Sequence, residues 1–458
     1  MSYDALFARA QDHAHAFLAT LRARHVNART PDPVTRDPPA VSDPVAPLAV
    51  LDSLAQLVAE GSVATPGPRY FGFVTGGSYP VAVAADWLVS VWDQNAALHA
   101  LSPAMAYLED VTAGWLLELL GLPRDASVGF VTGATMANVT GLAAARHQVL
   151  RRAGWDVEAD GLQGAPKLNV IVGAGAHASI DTAARLLGFG TSNLVRVAAD
   201  DQGRMVPEAL EAALARASGP TIVCLQAGHV NTGAFDPFTP LIDIARRHGA
   251  WVHVDGAFGL WARAADGLRP LADGVERADS WGVDAHKWLN VPYDSGIAIV
   301  AHPAAHRASM AQRASYLLRA DGERRDGMDW TPEASRRARA VPVYAVLKAL
   351  GREGVAALVT GNCARARQMA ERLRPHDGIT ILNDVVLNQV LVRVRSRADG
   401  NVTPAVIARV QQAGVCWVGG TTWEREPAMR IAISNWSTTA EDVERSAASI
   451  RDAAAAEW

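Results

Sequence analysis

The stretch WVHVDGAFG, residues 251–259, decides the fold of this chain. Its first five residues form a short, mainly apolar run of strand length, and Gly256 follows Asp255 directly, as expected where a strand ends in a turn. Ligand sites of parallel sheets lie beyond the carboxyl ends of the strands, so Asp255 is expected at the mouth of a site. An acid before a helix can equally be an N-cap, and Asp255 alone does not separate the two.

Further segments of the same kind lie on both sides of this strand. Strands are predicted at 168–173, 221–226 and 296–301, and helices between them at 178–187, 207–216 and 239–248. Short apolar strands separated by helices predict an α/β domain with a mostly parallel sheet that is covered on both faces. After residue 345 the pattern changes to a long helix (343–374) and separate strands (389–394 and 429–433), which indicates a smaller α+β domain.

We predict three parts along the chain: an N-terminal helical and proline-rich arm (1–78), a large domain (79–345) and a small C-terminal α+β domain (346–458). The arm begins with helical periodicity and continues into a proline-rich stretch that excludes an interior helix or a central strand. A closing helix is predicted after Thr438, with Glu441 three residues on completing a capping box.

The composition excludes several classes of protein. The 458 residues are 49% hydrophobic and 20% charged, as in globular domains, and the net charge of −4 offers no basic surface for nucleic acid. Three scattered cysteines and isolated histidine pairs predict neither a disulfide framework nor a metal site. The N-terminus lacks the pattern of a signal peptide, and the uncharged residues 126–145 are too rich in Gly, Thr and Asn for a membrane span, so we expect a cytoplasmic protein.

Lysine is rare in this chain and occurs only at Lys167, Lys287 and Lys348. The other basic residues are arginines, which stay protonated and cannot act as amine nucleophiles. Lys287 lies in SWGVDAHKWLNVPYDSG (280–296), between aromatic and apolar side chains rather than charges. Lysines in such surroundings form Schiff bases with aldehydes, so Lys287 is the candidate for amine chemistry.

Two further features lie where strands are expected to end. FVTGATMANVTGL (130–142) predicts a strand, a tight turn and a helix whose first N–H groups could bind phosphate, although a plain glycine turn has the same pattern. His177 follows the strand at 168–173. These features together are the kind that bind pyridoxal 5'-phosphate: a phosphate-binding turn, a histidine, an aspartate at a strand end and a lysine in apolar surroundings.

The motifs HVDGAFG (253–259) and DAHKWLNVPYDSG (284–296) resemble those of the group II pyridoxal-phosphate-dependent amino-acid decarboxylases, over roughly residues 60 to 450. The resemblance implies the aspartate-aminotransferase-like fold (fold type I) and a homodimer with active sites at the subunit interface. It also implies decarboxylation of an L-amino acid to an amine and CO₂. Lys287 would form the Schiff base with the cofactor, and Asp255 would keep the pyridine nitrogen protonated.

The same resemblance assigns the remaining site residues. His177 would stack on one face of the cofactor ring, and Ala257 would contact the other. The phosphate would be held by Ala134, Thr135, Ser280 and His286. Ser335 and Arg336 would reach the cofactor of the neighbouring subunit. Tyr316 would belong to a mobile loop and protonate the carbanion after CO₂ leaves, unless it is an ordinary surface aromatic.

The segment RYFGFVTGGSYP (69–80) resembles the family's substrate-lining stretch. Gly72 stands where relatives carry larger side chains and is expected to leave space. The predicted substrate contacts are Phe73, Thr75, Tyr79 and His229, the last of which could equally be a plain loop residue. Apolar lining without an obvious arginine for a carboxylate favours an aromatic or bulky substrate.

The segment before Lys287 departs from the family pattern, and other functions also stay open. Asp284-Ala285 stands where many members have Asn-Pro, which puts an acid near the phosphate. An aldehyde synthase, a carbon–carbon lyase or an aminotransferase could use Lys287 and Asp255 identically, and Tyr316 is the residue that would distinguish the first of these. An inactive cofactor-binding protein is the remaining alternative.

Overall fold

The computed structural model describes residues 2–28, 44–312 and 324–458. Its helices are α1 Tyr3–Thr20, α2 Pro47–Gly61, α3 Pro80–Trp92, α4 Pro103–Leu120, α5 Ala134–Arg152, α6 Val157–Asp160, α7 Ala178–Leu186, α8 Pro207–Arg216, α9 Phe238–Arg247, α10 Pro303–Met310, α11 Ala340–Leu373, α12 Thr403–Ala413 and α13 Ala440–Ala455. Its strands are β1 Ser127–Val131, β2 Asn169–Gly173, β3 Leu194–Val197, β4 Thr221–Gln226, β5 Trp251–Asp255, β6 Ser280–Asp284, β7 Gly296–Val300, β8 Ile379–Ile381, β9 Gln389–Val394, β10 Gly419–Trp423 and β11 Glu426–Ala432.

The chain divides into two compact units. Unit 1 comprises residues 1–75, 365–382 and 390–458, and unit 2 comprises residues 76–364 and 383–389. The three-part division into an arm, a large domain and a small domain stays a prediction. Among the described residues, no helix has the length and apolar character needed to cross a membrane.

Unit 2 is built on a seven-stranded sheet of order β1-β7-β6-β5-β4-β2-β3. β7 pairs antiparallel with both of its neighbours, whereas the pairs from β6 to β3 are parallel. Strands β1, β4, β5, β6 and β7 are buried almost throughout, as expected of a sheet with helices on both faces. The predicted α/β class with a mostly parallel sheet is therefore confirmed.

The predicted strands and helices of this sheet occur within one or two residues of their expected ends. β3 and β6 were not predicted as strands, because β3 has four residues and β6 contains Ser280, Gly282 and Asp284. The long helix predicted from residue 343 is α11, but Gly351 interrupts it with a φ of 61°. A left-handed residue inside a helix breaks its hydrogen-bond ladder, and glycine adopts it without a Cβ clash.

Unit 1 contains a four-stranded sheet of order β10-β11-β9-β8, with α12 and α13 packed against each other. The capping box of the last helix forms one residue later than predicted. Thr439 and Asp442 exchange the two capping hydrogen bonds, in place of Thr438 and Glu441. The Asp442 carboxylate also pairs with Arg22 and with the buried Arg69, whereas the side chain of Glu441, one position earlier on the helix, lies on a different face.

Candidate active site

The candidate residues meet at one edge of the unit 2 sheet, where β5 and β6 end. Asp255 is the last residue of β5, and Lys287 follows β6 by three residues. The turn that leads into α5 reaches the same edge, because a Cβ on Gly296 would lie 2.4 Å from the Cα of Gly133. Only glycine permits this close approach, which brings the start of α5 to the end of β6.

Three neutral donors orient the buried carboxylate of Asp255. The Oδ2 atom accepts hydrogen bonds from Asn138 Nδ2 and Ser179 Oγ, both at 3.2 Å, and Oδ1 accepts from the backbone N–H of Ala257 at 3.2 Å. These donors come from α5, from α7 and from the turn after β5. The carboxylate is therefore held in one orientation by three separate elements of the fold.

A relay of hydrogen bonds fixes the amide of Asn138 in turn. Burial lowers the pKa of His253 to about 4, so its ring is neutral at neutral pH, although the nearby Asp255 opposes the shift. The Nε2 atom of His253 lies 3.0 Å from Asn138 Oδ1, and its Nδ1 lies 2.9 Å from Ser280 Oγ. Ser280 Oγ accepts from the indole N–H of Trp251 at 2.9 Å, which leaves the hydroxyl proton for His253 Nδ1. This order turns the Asn138 amide nitrogen towards Asp255.

His177 is joined to Asp255 through a single residue. It caps α7, and its Nδ1 accepts from the backbone N–H of Ser179 at 3.2 Å, so a ring proton lies on Nε2. Ser179 Oγ lies 2.9 Å from the same nitrogen and donates to Asp255. The structure thus brings His177 and Asp255 together through Ser179.

The backbone of Lys287 lies so close to Gly76 that no side chain fits between them. A Cβ on Gly76 would lie 1.6 Å from the carbonyl oxygen of Lys287. The lysine Nζ is 2.9 Å from Asp284 Oδ2, and Asp284 Oδ1 accepts from the backbone N–H of Ala134 at 2.5 Å. Lysine, aspartate and the first residue of α5 therefore form one cluster.

His286 belongs to this cluster as well. Its ring approaches Gly133, where a Cβ would lie 3.1 Å from His286 Cε1, and its Nε2 is 3.4 Å from Asp284 Oδ1. Burial lowers the pKa of His286, although the charge of Asp284 opposes the shift. A neutral imidazole and a backbone N–H therefore lie together at the positively polarised end of α5, where a phosphate group can bind.

The arrangement fits pyridoxal phosphate in four respects: an amine at Lys287, an oriented carboxylate at Asp255, a histidine linked to it, and helix N–H groups beside the amine. The sequence pattern described as "Pyridoxal-dependent decarboxylase conserved domain" matches residues 32–395. The chain belongs to the pyridoxal-dependent decarboxylase family. The predicted family and cofactor are therefore confirmed, and by family the chain is a pyridoxal-phosphate-dependent carboxy-lyase.

Known proteins similar to this chain have names that cover different substrates. L-2,4-diaminobutyrate decarboxylase of Rhizobium meliloti (strain 1021) is 29% identical over 383 residues, which cover 80% of this chain and 74% of that protein. Acidic amino acid decarboxylase GADL1 of Bos taurus is 30% identical over 333 residues, which cover 70% of this chain but only 62% of that protein. The chain thus spans less than two thirds of the bovine relative.

The fold is shared with solved structures at lower sequence identity. The crystal structure of Oryza sativa TDC with PLP and tryptamine superposes with a TM-score of 0.91 at 23% identity, covering 100% of this chain and 99% of that one. This likeness confirms the predicted fold.

Some predicted cofactor contacts are not brought to the cluster around Lys287. Ser280 begins β6 while Lys287 follows its end, and the Ser280 hydroxyl is bonded to Trp251 and His253. Thr135 is exposed in the first turn of α5, and Ala257 lies beside Asp255, to which its N–H donates. The cofactor contacts predicted for Ser280, Thr135 and Ala257 stay predictions.

Arg336 is bound inside its own unit. Its guanidinium pairs with the buried Glu109 at 2.6 Å and donates to the backbone oxygens of Ala96 and Phe130 at 2.7 and 3.1 Å. The side chain has no exposed surface, which argues against the predicted contact with the cofactor of a neighbouring subunit. Ser335 is exposed, and its predicted contact stays a prediction.

The space expected at Gly72 is already filled. A Cβ at this position would lie 2.2 Å from Trp417, whose ring stacks on Tyr70 with centroids 5.0 Å apart. Gly72 therefore accommodates a tryptophan of unit 1 and does not leave the predicted space. The neighbouring Phe73 is largely exposed, with its ring 5.6 Å from that of Trp417, while Thr75 is buried.

The other predicted substrate residues lie in unit 2 or outside the described residues. The Tyr79 N–H donates to Asn290 O at 2.7 Å, in the loop that carries Lys287. His229 is buried after β4, and a Cβ on Gly175 would lie 2.6 Å from its Nε2, so it approaches the turn that leads to His177. Substrate contact by Tyr79 and His229 stays a prediction. Tyr316, the predicted proton donor, lies outside the described residues, and its role also stays a prediction.

Three residues of the hydrogen-bond network around Asp255 were not predicted from the sequence: Asn138, Ser179 and His253. A signal existed for each. Asn138 is four residues after Ala134 and so shares its helix face, while Ser179 and His253 lie two residues from His177 and Asp255. These spacings place a polar side chain beside each predicted residue, but they do not identify its partner.

Proposed function

We propose that this chain decarboxylates an L-amino acid with an aromatic or bulky apolar side chain to the amine and CO₂. The observation that carries the reaction is the meeting of Lys287, Asp255, His177 and the start of α5 at one sheet edge. The oriented carboxylate of Asp255 is the strongest support for this reaction. A carboxylate that only capped a helix would not need the further hydrogen bonds that fix Asn138.

The residues of the chain divide the chemistry among them. Bound pyridoxal phosphate supplies an aldehyde that condenses with amines and a ring that accepts the electron pair left when CO₂ departs. Lys287 offers the amine, and Asp255 holds a proton on the ring nitrogen in the orientation set by Asn138 and Ser179. His177 would lie against the ring, turned by its bond to Ser179.

The preference for an aromatic or bulky substrate is supported by the segment that resembles the family's substrate-lining stretch. Residues 70–79 contain no charged side chain, and the aromatic rings of Tyr70 and Phe73 lie against Trp417. Arg69 precedes them, but it is buried and bonded to the backbone oxygens of Val415 and Arg22 and to Asp442. It is therefore not available to bind a substrate carboxylate.

A panel of L-amino acids tests this substrate preference. We expect kcat/KM for the best aromatic or bulky apolar substrate to exceed that for glutamate, aspartate and 2,4-diaminobutyrate by about 100-fold, since apolar walls leave a charged side chain unpaired. Release of CO₂ and formation of the amine are measured together for each substrate. A preference for the acidic or diamino substrates would overturn the proposed side-chain class and leave decarboxylation standing.

The same assay separates the alternative reactions. An aldehyde in place of the amine would indicate an aldehyde synthase, and a rise in turnover on adding a keto acid would indicate an aminotransferase. Bound cofactor without turnover of any substrate would indicate an inactive protein.

We also propose that the protein is a cytoplasmic homodimer with α3 at the interface. Trp87, Leu88, Val91 and Trp92 form one face of α3 and are each between 44% and 57% exposed. Four large apolar side chains on one exposed helix face are typical of protein interfaces. Cys224, Cys363 and Cys416 are all buried and form no disulfide with one another, which suits a reducing compartment.

Leu88→Glu is expected to weaken the dimer by about 100-fold or more in Kd, because it places a charge in a desolvated apolar contact. Light scattering after size exclusion measures the mass, with one chain contributing 48.5 kDa. Leu186→Glu is the matched control, since this leucine is 63% exposed but lies outside the α3 face. A monomeric wild type, or an L88E protein that stays dimeric, would contradict the proposal.

A further inference from the structure

Asp284 lies among the groups that are to hold the cofactor, at the end of β6. Its Oδ1 atom is 2.5 Å from the backbone N of Ala134, the first residue of α5. Its Oδ2 atom is 2.9 Å from Lys287 Nζ, and its side chain is 3% exposed. One carboxylate therefore bonds to the first N–H of α5, where the phosphate is to bind, and to the amine that is to condense with the cofactor aldehyde.

The backbone of Asp284 cannot move away without losing other contacts. Its N–H donates to Ala257 O at 2.8 Å, and its carbonyl oxygen accepts from the indole N–H of Trp261 at 2.9 Å. The residue is also paired with Gly296 in the sheet. The carboxylate can consequently leave the start of α5 only by rotation of its own side chain, which remains buried near the same N–H group.

Neither neighbour of Asp284 supplies a lasting counter-charge to a bound phosphate. His286 lies 3.4 Å from Asp284, but burial lowers the pKa of its ring, so it is neutral at neutral pH. Lys287 is the amine that condenses with the cofactor, so its positive charge is not available for permanent pairing. A carboxylate and a phosphate at the same buried helix end repel each other.

We propose that Asp284 is a positioning residue that competes with the cofactor phosphate for the start of α5 and so weakens the retention of pyridoxal phosphate. The inference rests on the proposed function, because it assumes that the cofactor binds at this edge of the sheet. Its consequence is that occupancy of the site follows the concentration of free cofactor, and that the chain exchanges cofactor readily.

Two ligands that differ only in the phosphate group test this competition on the full chain. Asp284→Asn keeps the size and the acceptor oxygen of the side chain and removes its charge. We expect this variant to bind pyridoxal 5'-phosphate about tenfold more tightly by equilibrium dialysis and to bind pyridoxal with unchanged affinity. Equal tightening for both ligands would overturn the proposal, since the effect would then lie at the amine and not at the phosphate.

Inorganic phosphate gives a second readout that does not depend on condensation with Lys287. We expect phosphate to raise the melting temperature of cofactor-free Asp284→Asn and to have little effect on the cofactor-free wild type. The same comparison on Asp284→Ala covers the case in which the asparagine variant does not fold. No stabilisation of either variant by phosphate would overturn the proposal.

Asp294→Asn is the matched control, because it makes the same change ten residues later, in the loop that follows β6. That carboxylate pairs with Arg339 at 2.8 Å and is 42% exposed. We expect its affinity for pyridoxal 5'-phosphate to equal that of the wild type. If no protein in the series binds the cofactor at all, the proposed function fails. If the wild type binds it as tightly as Asp284→Asn, only this inference fails.

Discussion

Lys287→Ala is expected to lower kcat/KM for decarboxylation by at least about 10⁴-fold, the largest loss that any single substitution in this chain should cause. The reason is that the described cluster holds one amine beside the start of α5, and the other lysines lie elsewhere in the sequence. Alanine leaves the carboxylate of Asp284 without its partner at 2.9 Å but keeps its bond to Ala134. The fold should therefore survive the change.

The visible absorption spectrum of the protein with added pyridoxal phosphate provides the direct measurement. The wild type should show an imine band that borohydride abolishes by fixing the cofactor to Lys287, and the variant should show neither the band nor the covalent label. Lys348→Ala is the control, since this lysine is exposed on α11 with its amine 5.6 Å from the ring of Trp115. A covalent label that persists in Lys287→Ala would show that another residue carries the amine chemistry.

Asp255→Asn is expected to lower kcat by about 10³-fold while the cofactor still attaches covalently to Lys287. An amide carries no negative charge to hold a proton on the ring nitrogen, so the ring accepts electrons poorly when CO₂ leaves. The loss should be in kcat more than in KM, because the substrate itself does not touch this carboxylate in the proposed reaction. Steady-state kinetics combined with borohydride labelling measures both expectations.

The environment of Asp255 makes the asparagine variant a demanding test. Asn138 and Ser179 both donate to Oδ2, and an amide nitrogen in that place would face two donors, so the new side chain must present its oxygen there. Asp266→Asn is the control for loss of a carboxylate, because that side chain is fully exposed near Arg269. An Asp255→Asn protein that keeps wild-type kcat would contradict the assigned role.

The strands could be predicted, and the candidate site residues at their ends proposed, because their signals are local. β5 is a mainly apolar run that ends in Asp255, and Lys287 is one of three lysines in the chain. Burial of a parallel sheet on both faces requires such runs, and the positions of ligand sites at strand ends follow from the topology. The family motifs lie in these same segments, so resemblance and pattern point to the same residues.

The partners of those residues could not be predicted in the same way. Asn138 lies 117 positions from Asp255 along the chain, and Gly72 is still farther from the Trp417 that fills its space. Arg336 was expected to reach outwards, but its guanidinium is paired with Glu109 inside unit 2. Each of these contacts depends on which helix packs against which strand, and a local pattern contains no information on that.

The sequence by itself therefore determined the class of fold and the cofactor, and it predicted the lysine and the aspartate that would use that cofactor, since each follows from periodicity or from a short motif. Only the tertiary structure decided how Asp255 is oriented, what fills the space at Gly72, and that Asp284 bonds to the start of α5. The physical reason is that hydrogen-bond direction and steric volume are properties of side chains brought together by packing, whereas strand and turn signals arise between near neighbours along the chain.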